Sequence, residues 1–405
     1  MSSKASKRLV PELRFPEFRD AQPWKPNTVK GLCELKAGQF VSASDIKEKP
    51  GDALYPCYGG NGPRGYTKTF THAGTYPLIG RQGALCGNVR QADGKFHATE
   101  HAVVATPRER TNVDWLFHLL VTLSLNRYAT GQAQPGLSVD VIEKVSVAAP
   151  LPVEQKKIAD CLSSIDDLIT AQAKEIEALK AHKKGLMQQL FPAEGETVPR
   201  LRFPEFRDAK EWRKKSLSEL TTYIDYRGKS PIKSEQGVFL VTAKNIKQGY
   251  IDYESSKEYV SLSEYDEAMK RGKPNIGDVL LTTEAPLGNV AQVNNENIAL
   301  AQRVIKFCGN SLLGNGYLKY YMLGDKFQKL LALKAIGSAV LGIQGKVLHQ
   351  LPIDYPDKSE QRKISDCLSS LDNLIAAHTQ KLGVLKVHKN GLLQGLFPSI
   401  PEGEA

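Results

Sequence analysis

The sequence predicts an α+β protein. Two β-rich mixed domains are joined by two long helices that pair as an antiparallel coiled coil, and the whole is an internal pseudo-two-fold repeat. Three observations carry this. A 39-residue stretch with a coiled-coil period occurs twice, and so does a 14-residue lead-in. Between the repeats lie two stretches of short apolar runs punctuated by Gly, Pro and Asn, the pattern of short strands and turns.

The long repeat reads EQKKIADCLSSIDDLITAQAKEIEALKAHKKGLMQQLFP at 154–192 and EQRKISDCLSSLDNLIAAHTQKLGVLKVHKNGLLQGLFP at 360–398, aligned without a gap at an offset of 360 − 154 = 206. In the first copy Ile158, Leu162, Ile165, Ile169, Gln172, Ile176, Leu179, Lys183, Leu186 and Leu190 step by alternating fours and threes. The second copy repeats the seam as Ile364, Leu368, Leu371, Ile375, His378, Leu382, Leu385, Lys389, Leu392 and Leu396. That is the 3.5-residue period of a coiled coil. Its polar members, Gln172, Lys183, His378 and Lys389, cost stability and fix register. Each run would make a rod of roughly 55 Å. Two helices of one ordinary bundle would show the same period; the duplication favours rods that pair with each other, antiparallel, because a domain-sized segment separates them. Gly185 and Gly391 weaken both helices near their ends, where a kink or a distinct last turn is expected.

The lead-in, PELRFPEFRDAQPW at 11–24, returns as PRLRFPEFRDAKEW at 199–212, an offset of 199 − 11 = 188. Its prolines and charges argue for an extended segment that docks its Phe and Trp onto a neighbour. The order is lead-in (1–23), domain (24–150), rod (151–192), linker with repeated lead-in (193–211), domain (212–353), rod (354–398) and tail (399–405). The two domains resemble each other only faintly in sequence. Helices are expected at 114–125 and 318–333. Proline-bearing hinges (Pro150 and Pro152; Pro352 and Pro356) end the last strand and set the exit into each rod.

With 405 residues there is room for two ordinary domains plus the rods. No run of about 20 apolar residues exists, so no membrane span is expected. The start lacks the apolar core of a signal peptide, which points to a cytoplasmic protein. Six cysteines include no C-x-x-C pair, arguing against disulfides and zinc. A net charge of +10 favours a polyanionic partner.

Several motifs are false matches. Gly60-Asn61-Gly62-Pro63-Arg64-Gly65 spells G-x-G-x-x-G, yet no helix pattern follows to meet a pyrophosphate. Gly228-Lys229-Ser230 ends like a P-loop, but Tyr223 stands where its first glycine belongs. No N-P-P-[YF] or D-P-P-[YF] tetrapeptide, H-E-x-x-H or G-x-S-x-G occurs. His97 and His101 form a lone pair, a structural pattern more than a metal site. The expectation is a chain that is no enzyme and that itself holds no cofactor and no metal.

Candidate nucleic-acid contacts lie in polar loops. In YPCYGGNGPRGY (55–66), Tyr58, Asn61 and Arg64 offer stacking and bidentate contacts to base edges, and the glycines allow close approach. Arg81 and Gln82 follow a strand. In the later domain Arg227, Lys229, Lys244 and Asn245 are comparable, with Arg303 weaker. For each the alternative is an ordinary solvated loop.

Taken together, this architecture resembles the specificity subunits of type I restriction–modification systems. The likeness covers nearly the whole chain: the proline hinge followed by E-Q-x-K-I, the helix ends GLMQQLFP and GLLQGLFP, and Y-G-G-N-G-x-x-G-Y at 58–66. The resemblance implies two target-recognition domains, each reading half of a bipartite, asymmetric site in double-stranded DNA. The rods would act as a ruler for the spacer, and half-sites roughly 34 Å apart would fall on one face of the duplex. Two methyltransferase subunits carrying S-adenosylmethionine would dock on the helices and methylate adenine N6 after base flipping. Motor–nuclease subunits using ATP and Mg would join for cleavage in host defence. The rival reading is a coiled-coil adaptor with two protein-binding domains and no DNA specificity.

Overall fold

A computed structural model describes residues 9–131, 135–226 and 231–398. The chain divides into two units, residues 1–174 with 380–405, and residues 175–379.

In the first unit the chain order is β1 (Lys25–Thr28), α1 (Val29–Leu32), β2 (Cys33–Ala37), β3 (Tyr55–Gly59), β4 (Gly62–Thr67), β5 (His72–Ala73), β6 (Tyr76–Gly80), β7 (Val89–Ala92), β8 (Lys95–Ala98), β9 (Ala102–Pro107), α2 (Val113–Thr122), α3 (Val139–Glu143) and β10 (Ser146–Ala149), which leads into α4 (Pro152–Leu190). Its main sheet has the order β2-β9-β6-β7, all antiparallel. A second sheet, β4-β3-β8-β5, contains the parallel pair β3 with β8. A ribbon of β1 with β10 ties the start of the domain to its end.

The second unit repeats the plan. Its order is β11 (Arg213–Ser216), α5 (Leu217–Leu220), β12 (Thr221–Asp225), β13 (Lys233–Ser234), β14 (Val238–Val241), β15 (Tyr259–Val260), α6 (Leu262–Ala268), β16 (Val279–Thr283), β17 (Leu287–Gln292), β18 (Ile298–Leu300), β19 (Val304–Gly309), α7 (Asn315–Leu323), α8 (Asp325–Lys334), α9 (Gly345–His349) and β20 (Pro352–Tyr355), before α10 (Lys358–Leu396). Its sheets are β12-β19-β16-β17, β13-β15-β14-β18 with β14 parallel to β18, and the ribbon β11 with β20. The domains therefore share the ribbon, the main-sheet order and the parallel pair of the second sheet although their sequences look unlike, and differ at the edges of that second sheet, where β5 flanks β8 in the first and β13 flanks β15 in the second. Side-chain alternation and turns fix a sheet while leaving exposed positions open.

Each long helix is 39 residues and starts two residues ahead of the sequence repeat. Pro152 supplies the favoured first residue of α4. Every seam position from Ile158 to Leu190 and from Ile364 to Leu396 is buried or half-buried. In the first unit Ile158 and Leu162 share a core with Leu393 and Leu396, and Lys389 pairs with Asp166. In the second, Leu190 shares a core with Ile364 and Leu368, and Lys183 pairs with Asp372. Early residues of one helix thus meet late residues of the other in both units, an antiparallel pairing. The expected weakening at Gly185 and Gly391 does not break either helix. A glycine costs about 1 kcal/mol there, less than the apolar seam on either side returns. The single helix expected at 318–333 is instead two, α7 and α8, divided at Gly324.

The lead-ins dock as expected, through a short turn at Pro16–Phe18 or Pro204–Phe206. Trp24 packs edge-on against Trp115 (6.1 Å) and Phe397 (6.0 Å). Trp212 does the same with Tyr317 (5.9 Å) and Phe191 (6.3 Å). The F-P pair that closes each long repeat therefore belongs to an aromatic triad. Among the described residues no helix is long and apolar enough to cross a membrane.

Candidate nucleic-acid interface

In the first unit the β3–β4 hairpin turns at Gly60 and Asn61, so the G-x-G-x-x-G string is strand and turn with no helix behind it. Asn61 and Arg64 are exposed. Tyr58 is half-buried, its ring edge-on to Phe96 at 5.7 Å, and burial raises its hydroxyl pKa. That ring is committed to the sheet more than to a ligand. The aliphatic stem of Arg64 lies over Gly59, where a Cβ would meet Arg64 Cδ at 2.6 Å. Gly80 passes the hairpin so closely that its Cβ would fall 2.1 Å from the Gly60 carbonyl oxygen. The end of β6 and the β3–β4 turn are thereby brought together.

This contact places Arg81 and Gln82 beside Asn61. The Arg81 N–H donates to the His101 carbonyl (2.9 Å), and the Arg81 carbonyl accepts from Leu137 N–H (2.9 Å). Gln82 bridges to Gly136 through the backbone. Two residues that the sequence did not mark as contacts also belong here: Arg90, and His101, which the sequence offered only as one of a structural histidine pair. Arg90, on β7, reaches Gly62, whose φ of +102° suits glycine. His101 pairs with Glu100 at 3.3 Å. Nothing local marks either residue; only the strand pairing brings them in. His97, by contrast, is buried, its ring within 3.0 Å of both Thr69 Oγ1 and the Gln39 carbonyl, which makes it structural.

The second unit uses the same positions with other side chains. Tyr58 pairs with Ala98 across the parallel strands as Val241 pairs with Leu300. Three residues further on stand Asn61 and Lys244, both exposed. The Thr283 N–H donates to the Arg303 carbonyl (3.0 Å) and its carbonyl accepts from Ile343 N–H (3.1 Å), while Glu284 bridges to Gly342. Thr283, Glu284 and Arg303 are therefore the counterparts of Arg81, Gln82 and His101. Arg303 Nε and Glu284 Oε1 form an exposed ion pair at 2.9 Å.

One expectation is corrected. Asn245 is fully buried, and its side chain is spent on its own loop. Its Oδ1 accepts from Thr242 N–H (3.0 Å) and Thr242 Oγ1 (2.8 Å), and its Nδ2 donates to the Asp252 and Ser256 carbonyls (2.9 and 2.8 Å). No donor or acceptor is left to offer a base edge. Arg227 and Lys229 lie outside the described residues. Among the described residues no group of three or more His, Cys, Asp or Glu could hold a metal.

Each domain thus presents donors and acceptors on adjoining loops, the groups that read base edges in a groove. Residues 21–181 and 209–387 match the family described as Type I restriction modification DNA specificity domain. The specificity subunit of the type I restriction enzyme EcoprrI of Escherichia coli is 44% identical over 158 residues, 39% of this chain and 39% of that protein. The MjaVIII specificity subunit of Methanocaldococcus jannaschii is 28% identical over 269 residues, 62% of this chain. The chain thus spans 39% and 61% of the length of these two relatives. The fold is that of the crystallised type I restriction–modification S subunit from M. genitalium, at a TM-score of 0.65 and 17% identity over 97% of this chain and 100% of that one. With both halves matched, the chain belongs to the type I restriction–modification specificity-subunit family, with two target-recognition domains.

Proposed function

We propose that this chain is the sequence-reading subunit of a type I restriction–modification complex, recognising a bipartite, asymmetric site in double-stranded DNA. The observation that supports it best is the pairing of one sheet plan with unlike side chains at equivalent loop positions: Asn61 against Lys244, Gln82 against Glu284, His101 against Arg303. One scaffold carrying two different sets of donors and acceptors suits two different half-sites. The long helices would dock two methyltransferase subunits, and their length would set the spacer. S-adenosylmethionine would be carried by those subunits, ATP and Mg by motor–nuclease subunits, and this chain would perform no chemistry of its own.

The test is to map methylated adenines in the host genome by single-molecule sequencing, with this gene intact and deleted. The expected result is loss of one bipartite motif on deletion. If every motif persists, and the chain with its methyltransferase partner shows no sequence-preferring binding in a gel shift, the coiled-coil adaptor reading stands instead.

A further inference from the structure

In the second domain a seven-residue loop projects beside the Arg303–Glu284 pair. Ile336 and Gly342 close it with reciprocal backbone hydrogen bonds, N–H to carbonyl at 2.8 and 2.9 Å. Gly337 makes the closure possible: its φ is +116°, and a Cβ there would fall 2.2 Å from the Val340 carbonyl oxygen. The base of the loop is stitched to the end of β16 by the Glu284–Gly342 bridge and by Ile343 N–H to the Thr283 carbonyl. The loop is therefore held in register with the side chains read above as base contacts.

Its tip is apolar and open. Ile336, Val340 and Leu341 are 58%, 57% and 50% exposed. Apolar side chains clustered on a short loop at a polar rim mark a binding surface. The first domain has the same closure, Thr130 with Gly136 at 2.8 and 2.8 Å, anchored on Gln82. There Gln134 and Pro135 stand at the sequence positions of Val340 and Leu341 (340 − 134 = 206), although residues 132–134 lie outside the described residues. The two halves thus share the loop closure, with Gln-Pro in the sequence of the first where the second has Val-Leu.

A groove of DNA presents one apolar group, the thymine 5-methyl on the major-groove edge. An apolar tip flanked by a guanidinium and a carboxylate, with exposed Lys334 and Lys346 nearby in the chain to meet phosphate, is complementary to that edge. We propose that Val340 and Leu341 read a thymine methyl in the half-site taken by the second domain. This rests on the DNA-reading function proposed above and adds a residue-level specificity determinant to it.

The probe is a duplex carrying the methylated motif mapped in the host, and the same duplex with single thymines replaced by deoxyuridine, which lacks only the methyl. Binding is measured with the full chain in complex with its methyltransferase subunits. For the unaltered complex, one deoxyuridine in one half-site should weaken binding about fourfold, the scale of one buried methyl. In Val340→Ser and Leu341→Gln that position should become indifferent to the exchange, with the other half-site unchanged. The two variants are at exposed positions and each checks the other for folding. Indifference of the unaltered complex at every thymine would overturn the inference while leaving DNA reading intact. So would variants as sensitive as the parent, or variants that lose only the methyltransferase subunit. Absence of any sequence-preferring binding would overturn both readings.

Discussion

Arg14 and Glu154, 140 residues apart, meet as a two-point ion pair: Nε and Nη2 of the guanidinium donate to the two carboxylate oxygens, each at 2.8 Å, with both side chains almost out of water. The remaining guanidinium donors close the lead-in on itself, to the carbonyls of Ala21 (2.8 Å) and Gln22 (3.0 Å). Arg202 and Glu360 repeat every one of these bonds in the second unit, to Ala209 and Lys210. The neighbouring glutamines complete the device. Gln155 accepts from Asn112 N–H and donates to the Pro150 carbonyl; Gln361 accepts from Gly314 N–H and donates to that of Pro356. The E-Q at the head of each rod is thus a joint: Glu holds the lead-in, Gln holds the recognition domain.

Arg14→Ala should therefore destabilise the first unit by about 3–5 kcal/mol, since it leaves a buried carboxylate unpaired. The double replacement Arg14→Met with Glu154→Leu should cost much less, because no charge remains to be desolvated. Urea unfolding of both variants checks this; equal losses would mean that packing, not charge, dominates. The tryptophans add a contrast. Trp24 Nε1 donates to Glu154 at 3.1 Å, whereas buried Trp212 Nε1 has no hydrogen-bond partner among the described residues. Trp24→Phe should cost more than Trp212→Phe.

His118, on α2, is buried against the helices, facing Lys389 on α10, Asp166 on α4 and Asp114 on its own helix. Burial, then the Lys389 charge, lowers its pKa from 6.5 to about 4, the two aspartates opposing. The unfolded chain takes up this proton near pH 6.5 and the folded chain only near pH 4. Between those limits the unfolded state binds more protons, so stability is full above pH 6.5 and falls as pH drops toward 4, by up to roughly 3 kcal/mol. His118→Gln should flatten that slope. An unchanged slope would assign the acid sensitivity to other groups. The second unit places Tyr320 against Asp372 instead, Oη donating at 2.7 Å.

The seam was legible in the sequence because large apolar residues carry its period, and burial follows it from Ile158 to Leu396. The candidate contact set was only partly legible. Lys244-Asn245 looks like one solvated dipeptide, yet its two side chains point to opposite fates; alternation along the backbone separates them, and burial is a property of the fold. His101 and Arg90 join the candidate site only through pairings of β6 with β9 and β7, which no local pattern reveals. The Arg14–Glu154 joint was hidden for the same reason.

Arg64→Ala and Arg303→Ala should each relax discrimination at one base pair, in different half-sites, by roughly 1–3 kcal/mol. Methylation motifs mapped for each variant check this. A loss of affinity equal for all sequences would make the residue a phosphate contact. Asn245→Ala is the control: it should lower stability by about 1–3 kcal/mol for the groups left unpaired, with the motif unaltered.

Leu168 and Leu374 stand at the same place in the two long helices (374 − 168 = 206), outside the seam, and are 55% and 41% exposed. Lone exposed leucines are ordinary, but here the same large apolar side chain faces solvent at the matching point of both repeats. On the proposed assembly, these would be anchors for like partners, one per repeat. Burying a leucine yields about 1.5–3 kcal/mol, so Leu168→Asp should weaken one docking event by ten- to a hundredfold and leave the other. Native mass spectrometry of the purified complex should then shift from two methyltransferase subunits to one, with Leu374→Asp doing the same and the double variant carrying none. Since neither leucine lies in a seam or a domain core, unfolding midpoints should hold. Two subunits retained by the double variant would move the docking surface elsewhere on the helices.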